Sequence, residues 1–149
     1  MPDLPLSSLP REANMTATSA PKTDSRPGQG PRIRMCRGCC CGTRRKHPDV
    51  DHDGIAEILA HESGSDAELV STDCLWQCGL SNVVVVNPSA AARRAGARPV
   101  WIQKVNTLER ARAIAEWVRQ GGPGTAEPPD DLRDATPRSA VHRSPLSGW

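Results

Sequence analysis

The sequence predicts a small α/β domain whose strands and helices follow the order β-α-β-β-β-α. Two stretches support this fold class most directly. Residues 83–86 are four consecutive valines, a run that is typical of a strand buried on both faces of a sheet. Residues 108–118 place apolar side chains at helical spacing, and Gly121, Gly122 and Pro123 then end that helix. An amphipathic helix beside a fully apolar strand is what a layered α/β domain requires.

The first half of the domain is predicted as strand, helix and strand. Residues 32–35 alternate polar and apolar side chains, as a short strand does. Asp51 or Asp53 can cap the helix that follows, and Gly64 can end it. Its buried face is predicted to consist of Ile55, Ile58 and Leu59. Residues 68–72 are the predicted second strand.

The second half is predicted to add two strands and a helix. The valine run is the third strand, and Pro88 ends it. Residues 89–98 are predicted to be a loop, and residues 100–102 a fourth strand. Asn106 is the predicted cap of the last helix, with Glu109 three residues later as in a capping box.

The two ends of the chain differ in composition from its middle. Of the 14 prolines, 11 lie in residues 1–31 or 123–149, and these flanks contain few large apolar side chains. Such segments bury too little apolar surface to offset the chain entropy lost on folding. We therefore expect disordered tails at residues 1–30 and 124–149, and one folded domain at residues 31–123.

The bulk composition excludes several classes of function. A net charge of +2 and the absence of Phe and Tyr argue against a nucleic-acid-binding protein, which stacks bases on aromatics beside basic residues. The sequence contains no apolar run near 18 residues and no secretory signal, so we expect a cytoplasmic protein without a membrane span. Thiols stay reduced in the cytoplasm, and the six cysteines therefore indicate metal ligands or redox groups.

The cysteines form two tight groups, each in a predicted loop after a predicted strand. One group is Cys36, Cys39, Cys40 and Cys41, and the other is Cys74-x3-Cys78. An Fe–S cluster needs four thiolates on one small body, and two local groups supply them at little loop-closure cost. The third cysteine of a plant-type ferredoxin is missing, because residue 44 is Arg.

Other interpretations of these cysteines remain open. Cys36-x2-Cys39 with the second group would make a four-cysteine structural zinc site in an interaction module. The same Cys36 and Cys39 have the spacing of a thioredoxin-type redox pair. Cys39 and Arg45 have the spacing of a phosphatase loop, although such a loop leads directly into a helix and Pro48 intervenes. The second group could also be two buried core thiols.

The cysteine spacing resembles that of a known family. Cys36-x4-Cys41, a helix, and then Cys74-x3-Cys78 directly before a β-β-α ending are similar to the thioredoxin-like [2Fe–2S] ferredoxins. The same domain occurs in the small [2Fe–2S] subunit of NADH:quinone dehydrogenase. The resemblance covers about residues 32–122, and it is strongest where the sequence reads CLWQCGLSNVVVVNP, from Cys74 onwards.

This resemblance implies a fold, a cofactor and an activity. The fold would be thioredoxin-like, with a four-stranded mixed sheet and two helices. Cys36 and Cys41 would hold one iron of a [2Fe–2S] cluster, and Cys74 and Cys78 the other. The chain would be an electron carrier and not an enzyme, and it could form a homodimer, since several members do.

The sequence departs from the family at two points. Cys39 and Cys40 are additional thiols, so the second ligand is Cys41 by its x4 spacing, with Cys39 and then Cys40 as alternatives. Asn82 stands where the family often has Pro just before the third strand.

Charged and aromatic residues near the cysteines suggest how a partner would bind. Arg44, Arg45 and Lys46 follow Cys41 closely and would attract an acidic redox partner, such as a flavoprotein or another Fe–S protein. Trp76 lies between two predicted ligands and is either a core anchor or a cover that shields the cluster. The histidines are predicted to be solvated: His47, His52 and His61, with His142 in the tail.

Overall fold

A computed structural model of the chain describes residues 28–38 and 40–133. These residues form an α/β domain with a four-stranded mixed sheet. The strands are β1 (Arg32–Cys36), β2 (Glu68–Thr72), β3 (Val84–Asn87) and β4 (Val100–Ile102). The helices are α1 (His52–His61), α2 (Ala90–Arg94), α3 (Leu108–Arg119) and α4 (Asp130–Arg133). A short 3₁₀ turn covers Cys78–Leu80.

The order of the strands in the sheet brings the two cysteine groups to the same end. The order is β2-β1-β3-β4, with β1 and β2 parallel and the other pairs antiparallel. Cys36 at the end of β1 pairs with Thr72 at the end of β2, and Met35 pairs with Val84 at the start of β3. The loop after β1 and the segment between β2 and β3 therefore leave and enter the sheet side by side.

The predicted four strands and two long helices are all present, and two short helices are added to them. The four consecutive valines are all buried, as the apolar run predicts. Helix α2 occupies part of the predicted loop at residues 89–98, and the Ser89 side chain caps it by accepting from the Ala92 backbone N–H at 3.2 Å. Serine is a good N-cap, so Ser89 is the local sequence signal for this unpredicted helix.

The caps of the two long helices were only partly predicted. The Asp51 carboxylate accepts a hydrogen bond from the Gly54 backbone N–H at 2.9 Å, so Asp51 and not Asp53 caps α1. Thr107, and not the predicted Asn106, caps α3, where its hydroxyl accepts from the Arg110 N–H at 3.2 Å. Asn106 is used in the loop network described below.

The apolar core lies between one face of the sheet and helices α1 and α3. Its sheet side is contributed by alternate strand residues, and its helix side by the predicted stripes. The fully buried large side chains of this core include Ile33, Met35, Ile55, Leu59, Val84, Val86, Ile102, Ile114, Trp117 and Val118. Among the described residues, no helix is long and apolar enough to cross a membrane.

The domain extends further towards the C-terminus than the composition predicts. Leu132 in α4 is completely buried within the core, and the Trp117 indole N–H donates to the Ala126 carbonyl at 2.8 Å. Residues 124–133, which follow the predicted domain end at residue 123, therefore contribute to the core through Leu132. The rest of the predicted tails, at 1–27 and 134–149, lies outside the described residues.

Candidate metal centre

The two cysteine loops are in contact at the end of the sheet. The backbone N–H of Arg37 donates to the Thr72 carbonyl at 2.9 Å, which continues the β1–β2 pairing beyond the strands. The next residue, Gly38, passes so close to Asp73 that a Cβ at position 38 would lie 2.9 Å from the Asp73 Cα. Only glycine fits at this crossing, so the glycine in the first cysteine loop lets the second loop approach.

Four of the five described cysteines gather at this crossing. Cys36 and Cys41 are buried, whereas Cys74 and Cys78 are partly exposed. The Sγ atoms of Cys74 and Cys78 are 3.9 Å apart, and the Cys36 thiol donates to the Asp73 carbonyl at 3.5 Å. One small pocket at the crossing is lined by Cys36, Cys41, Leu75, Gln77, Cys78, Ser81 and Val83. The structure thus brings together the four cysteines predicted as ligands.

Of the two additional cysteines, Cys40 is described by the structure and Cys39 is not. The pocket is lined by Cys41 and not by Cys40, whose carbonyl accepts a hydrogen bond from the Thr43 hydroxyl at 2.9 Å. Cys39 lies outside the described residues. The zinc, redox-pair and phosphatase interpretations all use its thiol, so the structure does not test them. Of the two described cysteines in question, the pocket lining therefore favours Cys41 over Cys40.

The neighbouring thiols lower the acidity of Cys78. The pKa of Cys78 is raised to about 11. The largest cause is a hydrogen bond with Cys41, followed by one with Cys74, and repulsion from thiolates at those two positions adds to it. A thiolate at Cys78 is therefore disfavoured unless a positive charge compensates it. A bound cation supplies that charge, which is why metal binding displaces protons from clustered thiols.

One pair of thiols in the donor set has the separation that metal ligation requires. Within residues 28–38 and 40–133, no three His, Cys, Asp or Glu side chains converge closely enough to hold a single metal ion. A tetrahedral metal with bonds of about 2.3 Å separates two thiolate sulfurs by roughly 3.8 Å, and Cys74 and Cys78 meet that requirement at 3.9 Å. A [2Fe–2S] cluster needs two cysteines on each iron, and Cys74 and Cys78 have the separation that one such pair requires.

Two consecutive residues of the first loop hold the second loop in place. The Lys46 ammonium donates to the Cys78 carbonyl and lies 4.0 Å from Cys41 Sγ. Next to it, His47 Nε2 and Ser81 Oγ are 2.8 Å apart. Lys46 therefore places a positive charge among the thiols, and both side chains tie the loops together.

A buried polar network behind the cysteines was not predicted from the sequence. His52 is buried, with its Nε2 3.1 Å from the His47 carbonyl and its Nδ1 3.3 Å from the Asn82 side-chain amide. Asn106 Oδ1 accepts from the Asn82 backbone N–H at 3.0 Å, and the Ser81–Asn82 peptide bond is cis. The prediction that His52 is solvated is wrong, His47 is half-buried, and His61 is exposed as predicted.

Trp76 is on the surface and not in the core. Its side chain is 88% exposed, which excludes the core-anchor interpretation. Its backbone is left-handed, with φ of 57°, and its N–H donates to Cys74 Sγ at 3.3 Å. Arg44 and Arg45, on the neighbouring loop, are exposed as well. Of the three basic side chains on that loop, Lys46 is the one that contacts the segment with the partly exposed cysteines.

Comparisons of this chain with protein-family models, curated proteins and solved structures found no match. The residues and geometry at this site therefore carry the functional interpretation.

Proposed function

We propose that the chain binds a [2Fe–2S] cluster through Cys36, Cys41, Cys74 and Cys78 and transfers single electrons between redox partners. The observation that carries the proposal is the meeting of a buried cysteine pair and a partly exposed pair where the two loops cross. Such a donor set matches a cluster with two ligands on each iron. The thiols would serve as ligands, so the proposed chain is an electron carrier and not an enzyme.

The topology supports placing the domain among the thioredoxin-like [2Fe–2S] ferredoxins. Strands β1 and β2 form a parallel pair joined by the α1 crossover, and β3 and β4 extend the sheet in antiparallel pairing. This arrangement is compatible with the thioredoxin-like fold that the cysteine spacing implies. Helices α2 and α4 are additions to the predicted β-α-β-β-β-α order.

The environment of the site supports transfer to another protein. Cys74 and Cys78 are partly exposed, so the proposed cluster would approach the surface on their side. Exposed Arg44 and Arg45 favour an acidic partner, which we propose to be a flavoprotein or another Fe–S protein. A cytoplasmic location would keep the cysteines reduced and so available as ligands.

The test is the metal content of the chain after anaerobic purification. We expect a coloured protein with about two irons and two sulfides per chain, as a [2Fe–2S] centre requires. The variant Cys74→Ser/Cys78→Ser, prepared in the same way, is the matched control and should be colourless. A colourless wild-type protein with stoichiometric zinc would refute the proposal and favour a zinc-stabilised interaction module.

A further inference from the structure

Trp76 combines two features that folding does not explain. Among the described residues it is the one large apolar side chain that is exposed. A single exposed apolar side chain is ordinary on a protein surface, and its exposure alone decides nothing. The second feature is its left-handed backbone, which is a genuine outlier for a bulky residue.

The backbone and the side chain of Trp76 have separate surroundings. The left-handed conformation directs the backbone N–H towards Cys74 Sγ, at 3.3 Å. Glycine would make that hydrogen bond with less steric cost, because it has no Cβ. The indole is turned into solvent and contributes little to the core. An outlier kept beside a site supports a functional role for the side chain.

The position of Trp76 fits contact with a partner at the cysteines. It is two residues from both Cys74 and Cys78, and the Lys46 ammonium binds the carbonyl of Cys78. Arg44 and Arg45 are exposed on the same first cysteine loop as Lys46. Trp and Arg are both enriched in protein interfaces, and Trp is frequent among residues whose truncation costs most binding.

We propose that Trp76 is the apolar anchor through which the chain docks on its acidic redox partner. The indole enters an apolar recess on the partner, and carboxylates surround that recess. The basic side chains of Arg44, Arg45 and Lys46 pair with those carboxylates. Docking places the partly exposed cysteine pair against the partner, so one electron leaves the reduced chain and reduces the partner by one electron. This inference rests on the proposed function in one respect, namely that the partner is a redox protein.

The test separates apolar anchoring from charge attraction by using salt. The probe is an acidic flavodoxin, with its dissociation constant from calorimetry and its electron-transfer rate from stopped flow. We expect Trp76→Ala to weaken binding and slow transfer at least about tenfold at both low and high ionic strength, because apolar contacts are not screened. Trp76→Phe should keep most of the binding. Arg45→Ala is the matched control. It should weaken binding and slow transfer at low salt only, because salt screens charge attraction.

Two further measurements make the outcomes distinct. Ferricyanide is a small oxidant that needs no protein docking face, so its reaction rate with Trp76→Ala should stay within about twofold of wild type. Unchanged flavodoxin binding and transfer in cluster-loaded Trp76→Ala would overturn the anchor and leave the proposed function intact. Loss of the cluster in both Trp76→Ala and Trp76→Phe would assign Trp76 to the cluster site and overturn its docking role. A wild-type chain without a cluster would instead refute the proposed function itself, which its spectrum shows before any docking assay.

Discussion

Lys46 spans the two cysteine loops, with its ammonium 4.0 Å from Cys41 Sγ and donating to the carbonyl of Cys78. A positive charge at that position favours the form of the site that carries more negative charge. For a bound cluster that form is the reduced one, since net charge is among the factors that set cluster potentials. Lys46 is therefore expected both to position the second loop and to raise the reduction potential.

Replacing Lys46 should lower the potential of the cluster-loaded chain. We expect Lys46→Met to lower it by on the order of 60 mV, a tenfold change in the equilibrium constant of a one-electron couple. Lys46→Arg, which keeps the charge, should stay close to wild type. A spectroscopic redox titration measures these values. Arg45→Met removes the same charge from an exposed neighbour and should shift the potential less. Equal shifts in Lys46→Met and Arg45→Met would show that only net charge matters.

The cysteines should differ sharply in their effect on cluster binding. Serine at position 36, 41, 74 or 78 should abolish or severely weaken loading, because a hydroxyl is a poor substitute for a thiolate. Cys40→Ser is the matched control and should keep the iron and sulfide content of wild type. The measurement is metal and sulfide analysis after anaerobic purification. Normal loading of Cys41→Ser together with loss in Cys39→Ser would contradict the ligand set proposed here.

The acidity of Cys78 in the metal-free chain gives a prediction with a definite sign. Cys41 and then Cys74 raise the pKa of Cys78 from 9.0 to about 11, so the folded chain holds that proton more tightly than the unfolded chain. This contribution to stability is complete below pH 9 and is lost as the pH rises through about 11. The rate of iodoacetamide alkylation at Cys78, followed by mass spectrometry, should rise with an inflection near pH 11. In Cys41→Ala the inflection should move down towards 9, and an unmoved inflection would refute the thiol contact as its cause.

Helix α4 should be necessary for full stability. Leu132 is completely buried in the core, and truncating a buried Leu to Ala typically costs about 2–5 kcal/mol. We therefore expect Leu132→Ala, measured by urea unfolding, to lower the free energy of unfolding within that range. Asp131→Ala, at an exposed position of the same helix, should change it by less than about 0.5 kcal/mol. A chain shortened to end at residue 123 should be less stable than one that ends at residue 133.

The elements were predictable where the sequence repeats a local pattern. The valine run and the stripe of residues 108–118 specify burial by their spacing alone, and both lie where predicted. Helix α4 was not predictable, because the sequence around it is rich in proline and charged residues. Its contribution to the core comes from one buried leucine. Composition averages over a segment and cannot report a single anchoring side chain such as Leu132.

The grouping of the cysteines could be predicted from the sequence, and the surroundings of the candidate site could not. Cysteine spacing marks the thiols directly, because each pair is local in the sequence. The contacts of His52 with Asn82 and of Asn82 with Asn106 join residues 24 to 30 positions apart, so no local pattern could indicate them. The exposure of Trp76 depends on its left-handed backbone, which nothing in the motif Cys74-x3-Cys78 specifies.

Charge reversal at Arg44 and Arg45 should identify the docking face. Both side chains are exposed on the loop that contains Cys41, and opposite charges accelerate encounter most at low salt. We expect Arg44→Glu/Arg45→Glu to slow electron transfer to an acidic flavodoxin at low ionic strength and to flatten the salt dependence of the rate. At 0.15 M salt, charges more than roughly 8 Å apart are screened, so the electron-transfer rates of the variant and the wild type should lie closer together. The visible spectrum should not change.

The structure offers a control with the same change in charge at the other end of the sheet. Arg93 and Arg94 are exposed on α2, which follows β3 close to the beginning of β1. Four strand steps, about 13 Å, separate that end of β1 from Cys36. Arg93→Glu/Arg94→Glu should therefore slow transfer much less than the reversal beside the cysteines. Equal slowing by the two variants would mean that the partner responds to net charge alone, and an unchanged rate in Arg44→Glu/Arg45→Glu would place the docking face elsewhere.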